Sequence, residues 1–151
     1  MFKHLVILCS LVGCAVLQGK PKSFVIKDIE ASLGDIRSAV VASFPIGSRS
    51  VSSNGREMVS KHFLISGNGS VRPAGDALER YFAQITILGD RRPYNVEIVV
   101  AHEKRVLRGE NFTYVIDYYD TVLARDISRK LEEELAKRRE DRNIIDDFRV
   151  F

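Results

Sequence analysis

Hydrophobic residues recur at helical spacing in two parts of the chain. Over residues 26–44, apolar side chains fall at steps of three and four, and Pro45 ends the pattern because proline cannot continue a helix. From about residue 114 to residue 139, apolar positions again follow one side. Acidic residues lie in the opening turns and basic residues in the closing turn, as the helix dipole favours. Each pattern predicts an amphipathic helix whose apolar side covers a sheet.

Between these two regions, polar and apolar residues alternate with the period of a strand. A hairpin is predicted over residues 48–66, because Asn54-Gly55 readily adopts the positive φ angles of a tight turn. Two longer strands are predicted over residues 78–88 and 94–106. The order helix, hairpin, two strands, helix predicts an α+β domain. We expect an antiparallel sheet of about four strands with both helices packed on one face.

Two surface segments are candidates for partner contacts. Residues 67–76 form a glycine-rich stretch, but it lacks the Gly-Lys-Ser/Thr ending and the parallel βαβ context of a phosphate loop. We interpret it as a plain surface connection, and a partner-binding loop that includes Arg72 is the alternative. The closing tail is predicted to pack back on the domain or to extend a partner's sheet edge. Its candidate partner-binding residues are Ile144, Ile145, Phe148 and Phe151.

The first fourteen residues have the pattern of an export signal. Lys3 precedes an apolar run over residues 5–12, the order that inserts a signal segment with its basic end in the cytoplasm. Even extended to Leu17, the run forms a helix of only about 20 Å, which is shorter than the roughly 30 Å hydrocarbon core of a bilayer. A permanent spanning helix is not expected. An ordinary cleaved signal peptide and an incidental hydrophobic helix remain alternatives.

The four residues Leu11-Val12-Gly13-Cys14 resemble the lipobox of bacterial lipoproteins. The resemblance implies cleavage before Cys14, a diacylglycerol on its thiol and a third acyl chain on its new amino group. Two or more acyl chains hold a protein stably on a bilayer. Ala15 follows the cysteine, whereas an aspartate there resembles the inner-membrane retention signal of enteric bacteria. We therefore expect an outer-membrane address, with the domain facing the periplasm.

Cysteine content and charge narrow the classes that remain. Cys9 and Cys14 are the only cysteines, so cleavage and acylation leave no thiol for a disulfide. The predicted organisation is a signal peptide over residues 1–13, a lipidated tether over 14–23 and a single α+β domain over 24–151. A net charge of +3 is too small to predict a nucleic-acid partner.

Candidate catalytic and metal-binding residues are sparse. His62 and His102 lie on two predicted strands, without nearby cysteines or a His-x-x-x-His spacing, so a zinc site would need carboxylates gathered by the fold. The sequence contains no Gly-x-Ser-x-Gly elbow and no Ser-x-x-Lys with the companion motifs of penicillin-binding enzymes. We therefore expect no catalytic residue, metal or cofactor.

The sequence thus predicts a non-enzymatic envelope lipoprotein that acts as an accessory, assembly or interaction factor. Its expected partners are membrane lipid, through acylated Cys14, and another envelope protein. The element order resembles that of small envelope-assembly lipoproteins, and the likeness covers element order only. One alternative is a small-ligand binder that uses the second face of the sheet near Val99 and His102. A hydrolase in which His62 approaches His102 is a further alternative.

Overall fold

The computed structural model describes the backbone of residues 21–148 and the side chains of residues 21–141. Within this part of the chain, eight strands pair antiparallel in one sheet, and two helices are present. The elements follow in the order β1 (Phe24–Ile29), α1 (Leu33–Ser43), β2 (Ser48–Val51), β3 (Glu57–Ser60), β4 (Phe63–Ile65), β5 (Val71–Pro73), β6 (Glu79–Leu88), β7 (Tyr94–Arg108), β8 (Asn111–Tyr119) and α2 (Thr121–Phe148).

Strand β7, with 15 residues, is the longest strand and organises the sheet. One of its edges pairs with the whole of β6, whereas the other edge pairs first with β1 and then with β8. Strands β3 and β2 continue the sheet beyond β6, and β4 pairs with both β5 and β6. Strand β1 therefore lies at an edge, beside the N-terminal half of β7.

One apolar cluster forms the core and includes residues of the sheet and of both helices. In β6 and β7 the buried side chains alternate and face each other in register, as in the pairs Ile85–Ile98 and Ile87–Val96. We call this side of the sheet the core face and the opposite side the outer face. The buried helix residues in the cluster are Ile36, Ala39, Val40, Ala124, Ile127 and Leu131.

The predicted α+β architecture with an antiparallel sheet is confirmed, but the prediction of about four strands is wrong, since the sheet has eight. Strand β1 is one of the strands that the sequence analysis does not predict, because the spacing of its apolar residues is typical of the start of a helix. Asp28 has a φ angle of 56°, and the pairing register shifts between Ile26 and Ile29. This β-bulge buries two isoleucines three positions apart. Helix α1 begins only after Ser32, whose side chain accepts a hydrogen bond from the Asp35 amide at 3.1 Å.

The second helix begins just after Asp120 rather than near residue 114. Strand β8 precedes it, and the tyrosine, valine and isoleucine content of this strand suits a sheet. Asp120 caps the helix, because its Oδ1 accepts hydrogen bonds from the amides of Val122 and Leu123, both at 3.0 Å. Helix α2 then continues past its predicted end at residue 139. Among the described residues, neither helix is both long and apolar enough to cross a membrane.

Two loop predictions also change. The segment 67–76, predicted to be irregular, contains β5, which pairs with β4 around a turn where Gly69 has a φ angle of 80°. The predicted hairpin over residues 48–66 divides into β2, β3 and β4. Its first turn does contain Asn54-Gly55, with Gly55 at a φ angle of 65°.

Candidate functional site

A groove of about 870 Å³ lies between edge strand β1 and the C-terminal half of α2. Its apolar lining comes from Ile26 and Ile29 on one side and from Leu135 and Ala136 on the other. Both isoleucines are 9% exposed and belong to the core cluster. The groove therefore opens on the core side of the sheet edge, where core packing gives way to solvent.

The bulge in β1 shapes one wall of this groove. The Asp28 amide donates a hydrogen bond to Asn95 Oδ1 at 3.1 Å, which ties the bulge to β7. On its other edge, β1 pairs with no strand among the described residues. An edge strand of this kind presents backbone N–H and C=O groups to another chain.

The groove lining is predominantly acidic. Among the described residues that line it, five carboxylates and two guanidinium groups leave an excess of three negative charges. The carboxylates belong to Asp28, Glu30, Asp35, Glu132 and Glu140, and the guanidinium groups to Arg138 and Arg139. This charge favours a cationic occupant.

Arg138 places a buried hydrogen-bond donor, its Nε–H group, beside the groove. Its Nε atom is buried and has no hydrogen-bond partner among the described residues. A buried donor without an acceptor costs about 1–3 kcal/mol, and more when it is charged. A carbonyl or carboxylate oxygen placed in the groove would remove this cost.

The outer face of the sheet carries a second, smaller depression of about 190 Å³. Phe82, Val99, Ile116 and Tyr119 supply its apolar and aromatic lining. Pro21, three residues before β1, lies in the same depression. The first described residue of the chain therefore lies at the outer face, three residues before β1.

One end of the outer face exposes large apolar side chains. Leu78, Leu107 and Phe112 are 71%, 61% and 60% exposed. Leu107 pairs with Phe112 across the β7–β8 hairpin, and the carbonyl of Leu78 accepts a hydrogen bond from the amide of Arg105 at 2.7 Å. Arg80 lies on this face beside them. We call this set, Leu78, Arg80, Arg105, Leu107 and Phe112, the hairpin patch.

Arginine side chains lie on aromatic rings in and beside the hairpin patch. The Arg80 guanidinium carbon is 3.4 Å from the Tyr114 ring centroid, and that of Arg105 is 4.2 Å from the Phe112 centroid. Arg80 also donates to Glu103 Oε2 at 2.8 Å. These contacts hold cationic groups against an apolar surface.

His62 lies on the outer face. Arg49 donates a hydrogen bond to its Nε2 at 2.9 Å, and the Glu103 carboxylate is 3.5 Å from the same atom. Burial, and then the positive charges of Arg80 and Arg49, lower the pKa of His62 below its ordinary value of 6.5. The imidazole is therefore neutral at pH 7 and suited to accept the arginine hydrogen bond.

His102 lies on the core face, between two tyrosine rings. Its ring centroid is 4.8 Å from that of Tyr81 and 4.6 Å from that of Tyr118, and the two phenol oxygens are 2.9 Å apart. Burial, followed by the hydrogen bond with Tyr118, raises the pKa of Tyr81 above its usual range. His102 Nδ1 lies 3.6 Å from Asp117 Oδ2, and a hydrogen bond from Lys104 lowers the pKa of that carboxylate.

The two histidines therefore do not share a site. His62 and Val99 are on the outer face, whereas His102 is on the core face, as its pairing with Tyr81 requires. The hypothesis that His62 approaches His102 and the hypothesis of one ligand site near Val99 and His102 do not fit this geometry. Within the described part of the chain, no three His, Cys, Asp or Glu residues form a group able to hold a metal ion.

Of the other predicted site residues, Arg72 is the one whose side chain the structure describes. Arg72 is exposed on β5, opposite Leu64. The backbone of α2 includes Ile144, Ile145 and Phe148, but their side chains are outside the described part of the chain. Cys14 and Phe151 lie wholly outside the described residues. Sequence reasoning missed the groove between β1 and α2, because its two walls are about one hundred positions apart in the chain.

Comparisons with known proteins do not assign the chain to a family. Neither the models of known protein families, nor the curated proteins, nor the solved structures contain a match to this chain. The groove, the outer face and the N-terminal sequence pattern are therefore the features that bear on function.

Proposed function

We propose that this protein is a non-enzymatic envelope lipoprotein, anchored through acylated Cys14, that binds an extended basic segment of another envelope protein. The binding site is the groove between β1 and α2. In this proposal both helices pack on the core face, so the edge of β1 and the C-terminal half of α2 form the two walls of a receptor for one peptide strand.

One observation carries the proposal: an unpaired strand edge borders a groove large enough for side chains. A peptide that adds to a sheet edge gains main-chain hydrogen bonds from the edge, and adjacent pockets select its alternate side chains. The apolar lining formed by Ile26, Ile29 and Leu135 suits apolar side chains. The buried Nε of Arg138 suits a carbonyl oxygen of the added strand.

The charge of the groove supports a basic segment. Five carboxylates and two arginines line it, and complementary charge contributes to specificity and to the rate of association. We therefore expect lysine or arginine on the side of the bound segment that faces Glu132 and Glu140.

A small ligand is the second candidate, and the groove volume favours it. About 870 Å³ lies within the usual range of roughly 300–1,000 Å³ for ligand sites. Such sites are mostly apolar with a few polar groups, whereas seven charged side chains line this groove. The charged lining and the strand edge favour the peptide.

Photo-cross-linking in the source organism tests the proposal. A benzophenone amino acid replaces Glu30, just after β1, or Ala136 in α2, so that one probe lies on each side of the groove. Ser38, on the exposed side of α1, is the control position. We expect both groove positions to capture the same envelope protein, and peptide mapping to find the cross-link in a net-basic, extended segment. The Ser38 position should not capture this protein.

Charge reversal completes the experiment. The double variant Glu132→Lys/Glu140→Lys should abolish capture, while Asp126→Lys, an exposed change on α2 outside the groove, should leave it intact. Equal capture from Ser38, or capture that survives reversal of the groove charge, would contradict the peptide proposal. A small molecule that co-purifies with the natural protein but not with the Glu132→Lys/Glu140→Lys variant would favour the ligand candidate instead.

A further inference from the structure

The position of Pro21 limits how far part of the outer face can lie from the anchor. Pro21 lines the same depression of the outer face as Phe82 and Val99. Cys14 precedes Pro21 by seven residues, which span at most about 25 Å when fully extended. With acyl chains on Cys14, Pro21 and the part of the outer face beside it therefore stay within about 25 Å of the bilayer surface.

The side chains at the hairpin patch suit a membrane interface. Leu107 and Phe112 project from the β7–β8 hairpin, and Leu78 lies on the same face beside Arg105. Exposed apolar residues beside arginines bind membranes by burying apolar area and by pairing with anionic headgroups. Tyr114, under the Arg80 guanidinium, adds the aromatic group that membrane interfaces favour.

The charge on this end of the outer face is positive. Arg49, Arg80 and Arg105 face one carboxylate, Glu103, which leaves an excess of two positive charges. The hairpin turn contributes one charge of each sign, at Arg108 and Glu110. Anionic lipid attracts such a surface through the basic residues that lie close to it.

We infer that the hairpin patch rests on an anionic lipid surface and inserts Leu107 and Phe112 among the headgroups. This inference rests on the proposed acylation of Cys14, which holds the patch near the bilayer. The groove between β1 and α2 lies on the core side of the sheet, so the domain binds lipid with one face and stays open to a protein partner at its edge.

Spin-label accessibility in reconstituted vesicles tests this inference. The full chain is purified from membranes with Leu107→Cys or Phe112→Cys, where cleavage and acylation make the new cysteine the only free thiol. Ser38→Cys on α1 is the control. The labelled proteins are placed in vesicles of phosphatidylethanolamine and phosphatidylglycerol, which contain no other protein, and collisions with oxygen and with a water-soluble nickel chelate are measured.

We expect labels at positions 107 and 112 to collide severalfold more often with oxygen relative to nickel than the label at Ser38. Arg105→Gln should reduce this ratio, and so should replacement of both lipids by phosphatidylcholine. The inference would be overturned if the labels at positions 107 and 112 are as accessible to water as the label at position 38. If mass spectrometry verifies the acylation of Cys14 in the same protein, that result leaves the proposed anchor unchanged. An unmodified Cys14 would overturn both proposals.

Discussion

The backbone amide of Asp28 donates a hydrogen bond to Oδ1 of Asn95 at 3.1 Å, and this contact joins β1 to β7 at the bulge. The bulge gives Asp28 a positive φ angle and buries Ile26 and Ile29 on the same face. The proposed peptide site depends on this local geometry, because the two isoleucines form one wall of the groove.

The φ angle of 56° at Asp28 predicts how substitutions there affect stability. Asp28→Val should lower the free energy of unfolding by about 1–2 kcal/mol, the cost of a left-handed conformation. Asp28→Gly should be at least as stable as the natural chain, because glycine adopts positive φ without strain. Urea denaturation measures both, and equal stability of the two variants would contradict the bulge.

The cap at Asp120 predicts where α2 begins. Asp120→Ala removes the acceptor of two backbone amides and should lower the free energy of unfolding by about 1 kcal/mol. Asp126→Ala, an exposed change within the same helix, is the matched control and should have little effect. A large effect of Asp126→Ala alone would indicate a different helix start.

The lowered pKa of His62 predicts an acid-sensitive contribution to stability. The unfolded chain binds a proton near pH 6.5 and the folded chain only at lower pH, so the contribution of His62 is complete above 6.5 and decreases as the pH falls through the folded pKa. His62→Gln should flatten this part of the curve of unfolding free energy against pH. NMR titration of the imidazole gives the folded pKa directly, and a value above 6.5 would contradict the prediction.

The central strands were predictable from the sequence because they alternate cleanly. The predicted strands at 78–88 and 94–106 correspond to β6 and β7, in which buried and less buried side chains alternate. The turn at Asn54-Gly55 was also predictable, since Gly55 has a φ angle of 65°, which glycine adopts without strain. Local patterns were sufficient for these elements.

The sequence predictions were wrong where two different structures can produce the same spacing of residues. Ile26 and Ile29 are three positions apart, as in a helical turn, yet a bulge produces their shared burial. In the sequence, Asp117 lies where an acidic residue would begin the predicted helix. In the structure it lies in β8 and accepts a hydrogen bond from Lys104 on the neighbouring strand β7. The groove had no local signal, because Ile29 and Leu135 meet only through the fold.

Both proposals depend most directly on the chemical state of Cys14, and intact mass spectrometry of the protein from its native membranes measures that state. The account predicts a mature chain that begins at Cys14 and carries a diacylglyceryl group on sulfur and a third acyl chain on nitrogen. A chain that retains Met1, or that begins elsewhere with Cys14 unmodified, would contradict the account.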